Sequence, residues 1–182
     1  MTSVASRTEP RVRRAGPDDV ATVCRFGEAY IRAHYAPLIG ADAADRQVRA
    51  WWNETQIGTA VAGGLVVVAE ADGELVGVGQ RGRRGADHVV YKLYVHPGHR
   101  GRGLGPRLLD ALIEQLPADA DRLYLEHFVG NARAGAFYER EGFTVERIES
   151  EPTRDPALGV VWRVRHLAVR HVAASGRTSD GD

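Results

Sequence analysis

The chain has 182 residues, of which 43% are hydrophobic and 26% charged, which is ordinary for one soluble globular domain. Its 24 basic and 24 acidic residues cancel, so the composition does not favour binding to nucleic acid. The single cysteine excludes an intrachain disulfide. No apolar run reaches transmembrane length, and Arg7 and Glu9 stand where a signal peptide needs apolar residues, so we expect a cytoplasmic protein that does not bind a membrane.

The sequence predicts one domain over residues 10–172, because neither an internal repeat nor a second domain is recognisable. The polar segments 1–9 and 173–182 on either side are expected to be disordered.

Within this domain, Arg11–Arg14 predicts a first strand, and a helix is predicted to begin at Pro17, a favourable first-turn position. Apolar residues recur at helical spacing until Pro37 and Gly40, which we expect to end the helix. A second helix is predicted over residues 42–55.

The rest of the chain predicts three strands, a helix, a strand, a helix and two closing strands, at residues 65–70, 75–80, 88–95, 106–116, 122–127, 132–141, 144–150 and 160–169. Asp72-Gly73 indicates a hairpin turn, and 81–86 is expected to be a loop. Asn131 is a favourable N-cap, and Gly142 a favourable helix terminator. This order predicts an α/β fold with a mixed, largely antiparallel sheet flanked by helices.

A glycine-dense loop, Arg100-Gly101-Arg102-Gly103-Leu104-Gly105, lies between the third of these strands and the next helix. The start of a helix offers free main-chain N–H groups and partial positive charge, so the loop predicts a site for a phosphorylated ligand. A P-loop is excluded because Pro106-Arg107 stands where lysine and a hydroxyl residue are needed. The dinucleotide fingerprint fails because its last glycine falls on Pro106.

A third template, Arg/Gln-x-x-Gly-x-Gly/Ala, is filled by Arg100, Gly103 and Gly105. It is the pyrophosphate loop of the GCN5-related N-acetyltransferase (GNAT) superfamily, which this chain resembles over residues 65–143. The second cofactor segment of that superfamily is similar to Leu123-Tyr124-Leu125-Glu126, Asn131, Ala134, Phe137-Tyr138 and Gly142-Phe143. The resemblance implies the acyl-CoA N-acyltransferase (GNAT) fold and acetyl-CoA as co-substrate.

The resemblance also implies how acetyl-CoA would be held. The strand with Leu93, Tyr94 and Val95 would separate from the next strand, so that the pantetheine arm pairs with its main chain and the Val95 N–H holds the thioester carbonyl. Residues that would contact the cofactor elsewhere are Arg100, Gly101, Arg102, Gly103, Leu104 and Gly105 at the pyrophosphate, with Asn131 and Phe137 further along. Pro106 removes one N–H donor, which Arg102 and Arg107 are candidates to replace.

Two residues are the catalytic candidates. By the resemblance, Tyr138 protonates the departing thiolate, a role that suits a phenol with a pKa of about 10. Glu126 is the candidate general base, and His88 is the alternative. Each has a purely structural interpretation as well: Tyr138 as a core aromatic, Glu126 as a solvated carboxylate at a strand end, and His88 as a surface residue.

The favoured function is direct transfer of the acetyl group to a small-molecule or peptide amine in a ternary complex. A non-catalytic acyl-CoA-binding or sensing module is the alternative. The first two helices would line the acceptor cleft with aromatic and acidic residues, namely Tyr30, His34, Tyr35, Trp51, Trp52, Glu28, Asp42 and Asp45. The seven histidines show no metal-binding spacing, and because dimers are common in the superfamily, a homodimer is one expectation.

Overall fold

The computed structural model describes residues 9–150 and 155–168, so the expectation of disorder at 1–8 and 173–182 lies outside the described residues. The strands are β1 (Arg11–Arg14), β2 (Val66–Ala71), β3 (Glu74–Arg84), β4 (Asp87–Val95), β5 (Arg122–Phe128), β6 (Thr144–Glu149) and β7 (Val160–His166). The helices are α1 (Val20–Phe26), α2 (Arg32–Ile39), α3 (Ala41–Trp51), α4 (Glu54–Ala62), α5 (Leu104–Glu114) and α6 (Ala132–Arg140).

The strands form one sheet in the order β1-β2-β3-β4-β5-β7-β6, in which only β4 and β5 are parallel neighbours. One core lies between the sheet and α5 and α6, and the other between the sheet and α1–α4. The predicted mixed, largely antiparallel sheet flanked by helices is therefore confirmed. In the part of the chain that the structure describes, no helix has both the length and the apolarity to cross a membrane.

Two helix boundaries predicted from the sequence are wrong. Pro37 does not end its helix but lies inside α2, because a proline removes only one main-chain hydrogen bond, and the bond from Gly40 N to Ala36 O at the end of the helix is made at 3.0 Å. The helix predicted over 42–55 is two helices, since the Asn53 side chain accepts a hydrogen bond from Gln56 N at 3.0 Å and so caps a new helix.

The loop predicted over residues 81–86 is wrong as well. Its first four residues continue β3, which pairs with β4 as far as Arg84 opposite Asp87. This pairing uses main-chain groups, so it does not require the apolar alternation that was absent from the sequence here. Only Gly85 and Ala86 remain to make the turn.

A β-bulge in β4 changes the face of the sheet to which alternate side chains point before and after it. Lys92 lies opposite Gln80 and Val90 lies opposite Arg81, so Tyr91 has no partner residue in β3. Val90 packs toward α5, and Lys92 faces the opposite side of the sheet, although alternation without a bulge would place both on one face.

The bulge coincides with the separation of β4 from β5. Those two strands pair only at Val89 with Tyr124 and at Val90 with Leu125. Past these pairs, β5 continues against β7 and β4 continues against β3, which leaves a gap between the two central strands. The separation that the resemblance implied is therefore present.

Glycines of β3 bring α5 close to the sheet next to this gap. A Cβ atom on Gly77 would lie 2.9 Å from Leu108, and one on Gly79 would lie 3.1 Å from Leu112. Glycine at these two positions therefore allows close packing of α5 on the sheet without displacing the leucine side chains.

Gly27 offers a test of helix packing. A Cβ atom at this position would lie 2.6 Å from the ring of Trp52, so Gly27→Ala is expected to lower the free energy of unfolding by about 1–3 kcal/mol in urea titrations. Gly58→Ala is the matched control in α4, since its nearest neighbour is 4.0 Å away, and it should stabilise the protein by up to about 1 kcal/mol. Equal stability of the two variants would contradict this packing.

Candidate functional site

The main chain of β4 faces the gap between β4 and β5. His96 N donates to Val76 O at 2.8 Å, so the alternation of an antiparallel ladder directs the main-chain groups of Leu93 and Val95 away from β3. In the described residues these groups have no ladder partner in β5. They form an edge on which an extended ligand can bind as an added strand.

The glycine-dense loop leads from this edge into α5. Gly101 and Gly103 have φ values of 72° and 75°, which a side chain would disfavour, and α5 begins at Leu104. Arg100 Nε donates to Val95 O at 2.9 Å, which ties the loop to the end of β4. The free N–H groups at the start of α5 therefore lie next to the gap, as an anion-binding site requires.

Gly105 and Phe137 contact each other, which joins the loop to α6. A Cβ atom on Gly105 would lie 3.1 Å from the Phe137 ring, so glycine is needed there for close helix packing. Phe137 is half-buried against the core under α5, as expected for a residue with a packing role.

Arg102 and Arg107 were considered as replacements for the N–H donor that Pro106 lacks. Only Arg102 stays available. Arg107 donates to Glu9 at 3.1 Å and to the Pro10 carbonyl at 2.8 Å, so its side chain supports the start of the chain. Arg102 is exposed in the loop. Nearby positive charge also comes from Arg133, which together with burial lowers the pKa of Arg100.

Tyr138 lies on the inner face of α6, against the sheet. Its ring is 9% exposed and packs against Phe137, Phe143 and His127 at centroid distances of 5.1, 5.8 and 6.1 Å. Burial is the main cause that raises the pKa of Tyr138, so its hydroxyl keeps its proton at neutral pH. Tyr138 therefore has the core packing considered from the sequence, and its raised pKa makes its hydroxyl a weaker acid than a free phenol.

Tyr35, on α2, connects the two catalytic candidates. Its hydroxyl is hydrogen-bonded to that of Tyr94, and its ring packs edge-on against Phe128 at 5.9 Å. Burial is the largest cause that raises the pKa of Tyr35, with a smaller contribution from the charge of Glu126. Tyr35 in turn contributes to the raised pKa of Tyr138, so it lies within electrostatic range of both.

Glu126 faces a cleft on the α1–α4 side of the sheet, opposite α5 and α6. Burial by the cleft walls raises the pKa of Glu126, and the charge of Glu149 raises it further, whereas Arg84 and Arg147 lower it. A carboxylate with a raised pKa is a better proton acceptor than an ordinary one. The side chain remains accessible from the cleft, as a base acting on a substrate must be.

His88, the alternative base, lies outside this cleft. It is the second residue of β4, opposite Arg83, near the end of the strand farthest from Val95. Burial and the charges of Arg83 and Arg81 lower its pKa. The geometry therefore favours Glu126 over His88.

The cleft has a volume of about 730 Å³ and aromatic walls. Tyr35, Trp51 and Trp52 line it, as expected from the sequence, and so do Phe128 and Trp162, which sequence reasoning missed. The walls also carry the amides Gln47, Gln56 and Gln80.

The other side chains proposed for the cleft are used elsewhere. Glu28 and Asp45 form ion pairs with Arg32 at 2.7 and 3.0 Å, and neither they nor Asp42 line the cleft. Tyr30 packs edge-on against His96 at 4.6 Å.

His34 and Asn131 lie at the gap rather than in the cleft. Asn131 caps α6 by accepting a hydrogen bond from Ala134 N at 3.2 Å, which confirms the predicted cap. Its amide nitrogen lies 3.5 Å from His34 Nε2. The amide nitrogen of Asn131 therefore faces α2, while its amide oxygen caps α6.

Lys92 is another cleft residue that sequence reasoning missed. It is the only lysine of the chain, and the structure buries it with 6% of its surface exposed. Its Nζ donates to Gln80 Oε1 at 2.6 Å and lies 5.4 Å from the Trp52 ring centroid. Burial lowers the pKa of Lys92 to about 8. The signal in the sequence that could have identified Lys92 was a charged residue within an otherwise largely apolar strand.

Within residues 9–150 and 155–168, His, Cys, Asp and Glu side chains form no group of three arranged to hold a metal ion. Burial raises the pKa of the half-buried Cys24, which makes its thiol a poor nucleophile.

Comparison with known proteins identifies the central part of the chain. Residues 62–145 match the family model described as "Acetyltransferase (GNAT) domain". The chain is 29% identical over 135 residues to the spore coat polysaccharide biosynthesis protein SpsD of Bacillus subtilis, covering 72% of this chain and 46% of that protein. It is 32% identical over 111 residues to the L-amino acid N-acyltransferase MnaT of Escherichia coli, covering 57% of this chain and 61% of that protein. The chain thus spans less than two thirds of these relatives.

A solved structure shows the same fold. The PaiA N-acetyltransferase of Thermoplasma acidophilum, solved in complex with coenzyme A, superposes with a TM-score of 0.73 over 88% of this chain and 100% of that chain. Sequence identity with it is 15%, so this likeness concerns the fold alone.

The environment of Lys92 leads to a direct prediction. Because the chain contains one lysine, isotopically labelled lysine should give a single side-chain NMR resonance, titrating near pH 8 instead of the ordinary 10.5. Since the folded-state pKa is the lower one, the unfolded chain binds more protons between these values, and stability should rise with pH through that window. A midpoint near 10.5 would show that Lys92 is solvated.

Proposed function

Because the chain belongs to the GCN5-related N-acetyltransferase superfamily, we propose that it transfers the acetyl group of acetyl-CoA directly to an amine. The observation that carries the proposal is the gap between β4 and β5, which opens at one end to the loop around Gly103 and on one side to the cleft of Glu126.

Acetyl-CoA would be held mainly by main-chain groups. The diphosphate would bind the N–H groups of residues 101–105, with Arg102 supplying positive charge. The pantetheine arm would lie along Leu93 and Val95 and pair with them as an added strand. The Val95 N–H would then stabilise the negative charge that develops on the thioester oxygen.

Transfer would take place in a ternary complex without a covalent enzyme intermediate. A cationic amine cannot attack, so Glu126 would accept a proton from it, directly or through water. The amine nitrogen would then bond to the thioester carbon, and the bond from that carbon to sulfur would break. Tyr138 would give its proton to the departing thiolate, since its buried hydroxyl is protonated at neutral pH.

A non-catalytic acyl-CoA-binding module would use the same gap and loop. The cleft supports catalysis instead, because it places an accessible carboxylate of raised pKa beside the gap. Release of thiol from acetyl-CoA with a broad panel of amines separates the two functions, since a sensing module would bind the cofactor without turnover.

Removal of the Tyr138 hydroxyl tests the acid role. Tyr138→Phe should lower kcat by about 10²–10⁴-fold and leave the Kd for coenzyme A within about twofold, because the ring stays in place. Tyr124→Phe is the control on β5, since Tyr124 lies outside the cleft. Full turnover by a folded Tyr138→Phe variant would exclude Tyr138 as the acid.

The base role predicts a change in pH dependence. Because the pKa of Glu126 is raised above 4.5, wild-type activity should fall on acidification at a higher pH than an ordinary glutamate would dictate. Glu126→Gln should lower kcat/KM at neutral pH by about 10²-fold or more, with recovery at alkaline pH where the amine is already neutral.

Glu139→Gln, an exposed substitution on α6, is the control for loss of one negative charge. A pH profile of Glu126→Gln identical to that of the wild type would exclude Glu126 as base.

A further inference from the structure

Lys92 is a buried cation with neutral partners. Its neighbours at Nζ are the amide oxygen of Gln80 and the face of the Trp52 ring, and Cys24 lies within electrostatic range. In residues 9–150 and 155–168, no carboxylate forms an ion pair with it. An ammonium group has three N–H donors, and Gln80 accepts from only one of them.

Such an arrangement is costly without a ligand. Removing an ammonium group from water is unfavourable unless an anion or several acceptors compensate, and the protein gives Lys92 one strong acceptor. The side chain also lines the open cleft, so an anion that enters the cleft can reach it. Binding an anionic group would therefore supply the missing counter-charge.

The orientation of Lys92 depends on the β-bulge. If Tyr91 were paired as a regular strand residue instead of forming the bulge, Lys92 would share the face of Val90 and point into the apolar core beneath α5. The same irregularity that accompanies the gap thus places a cation in the cleft.

The cleft separates its charges between two walls. Lys92 lies with Gln80 of β3 and with Trp52, which follows α3, whereas Glu126 of β5 lies with Glu149 of β6 and within electrostatic range of Arg84 at the end of β3. One wall thus favours an anionic group and the other contains the candidate base for an amine.

We propose that the acceptor is a small aminocarboxylate, whose amine lies at Glu126 while its carboxylate accepts hydrogen bonds from the ammonium group of Lys92. This inference rests on the proposed acetyl transfer and adds the substrate class and a specificity-determining residue. The cleft of about 730 Å³ is large enough for an amino acid beside the reacting thioester. Lys92 acts as a cation rather than a base, because with a pKa of about 8 most molecules carry the proton at pH 7.

Paired substrates separate recognition of the carboxylate from chemistry at the amine. The α-amino acids and the ω-amino acids from glycine to 6-aminohexanoate, each with its carboxamide, are assayed by thiol release from acetyl-CoA. Wild-type protein should have a higher kcat/KM for each accepted aminocarboxylate than for its carboxamide. Lys92→Met, which keeps the length and apolar stem, should lower kcat/KM for the preferred carboxylate by about 10–100-fold, chiefly through KM, and change that for its amide less than threefold.

The matched control is Arg46→Met, which removes a positive charge from the exposed face of α3 and should leave this selectivity unchanged. If Lys92→Met lowered kcat/KM equally for the aminocarboxylate and for its carboxamide, Lys92 would act in catalysis or folding, and the inference would be overturned. A wild-type preference for amides or for amines without a carboxylate would overturn it too.

The single lysine resonance gives a readout that does not need turnover. With coenzyme A bound, adding the same aminocarboxylates should shift this resonance and raise the pKa of Lys92, and the amides should do neither. If no aminocarboxylate perturbs the resonance, the inference is wrong even when acetyl transfer to other amines is observed. If coenzyme A itself does not bind, the proposed function fails instead.

Discussion

The architecture depends on the way β4 leaves β5. One extra residue, Tyr91, breaks the regular pairing of β4, and the two central strands share only two residue pairs before they diverge. A continuous sheet would satisfy these main-chain groups internally. Here the main-chain groups of Leu93 and the N–H of Val95 have no ladder partner in β5, at a gap in the middle of the sheet where both cores support the surrounding strands. Binding at this gap thus uses the backbone, while the side chains of the same strand remain part of the packing.

Burial then gives the side chains around the gap their chemical character. It raises the pKa values of Tyr138 and Glu126 and lowers that of Lys92. These side chains come from different layers: Tyr138 from the core under α6, and the other two from the opposite cleft. In the proposed mechanism, the separation of β4 and β5 lets groups on opposite faces of the sheet act on one bound molecule.

The sequence predicted the parts of this site that local chemistry determines. The glycine-dense loop and the Asn131 cap follow from short-range spacing and from the resemblance it supports. The bulge, the continuation of β3 through Arg84 and the cleft position of Lys92 depend on pairing between strands, which periodicity does not reveal. Pro37 was misjudged because one lost hydrogen bond is small beside the contacts that hold α2. The domain limits at 10 and 172, the cytoplasmic location and the homodimer stay predictions.

Amide hydrogen exchange, followed by NMR with and without coenzyme A, tests the central claim most directly. If the cofactor adds to β4 as an extra strand, saturating coenzyme A should slow exchange at the amides of Leu93, Val95 and Gly103, and leave the ladder between β2 and β3 unchanged. Unchanged exchange at the first three amides, in folded protein with excess coenzyme A, would contradict the account.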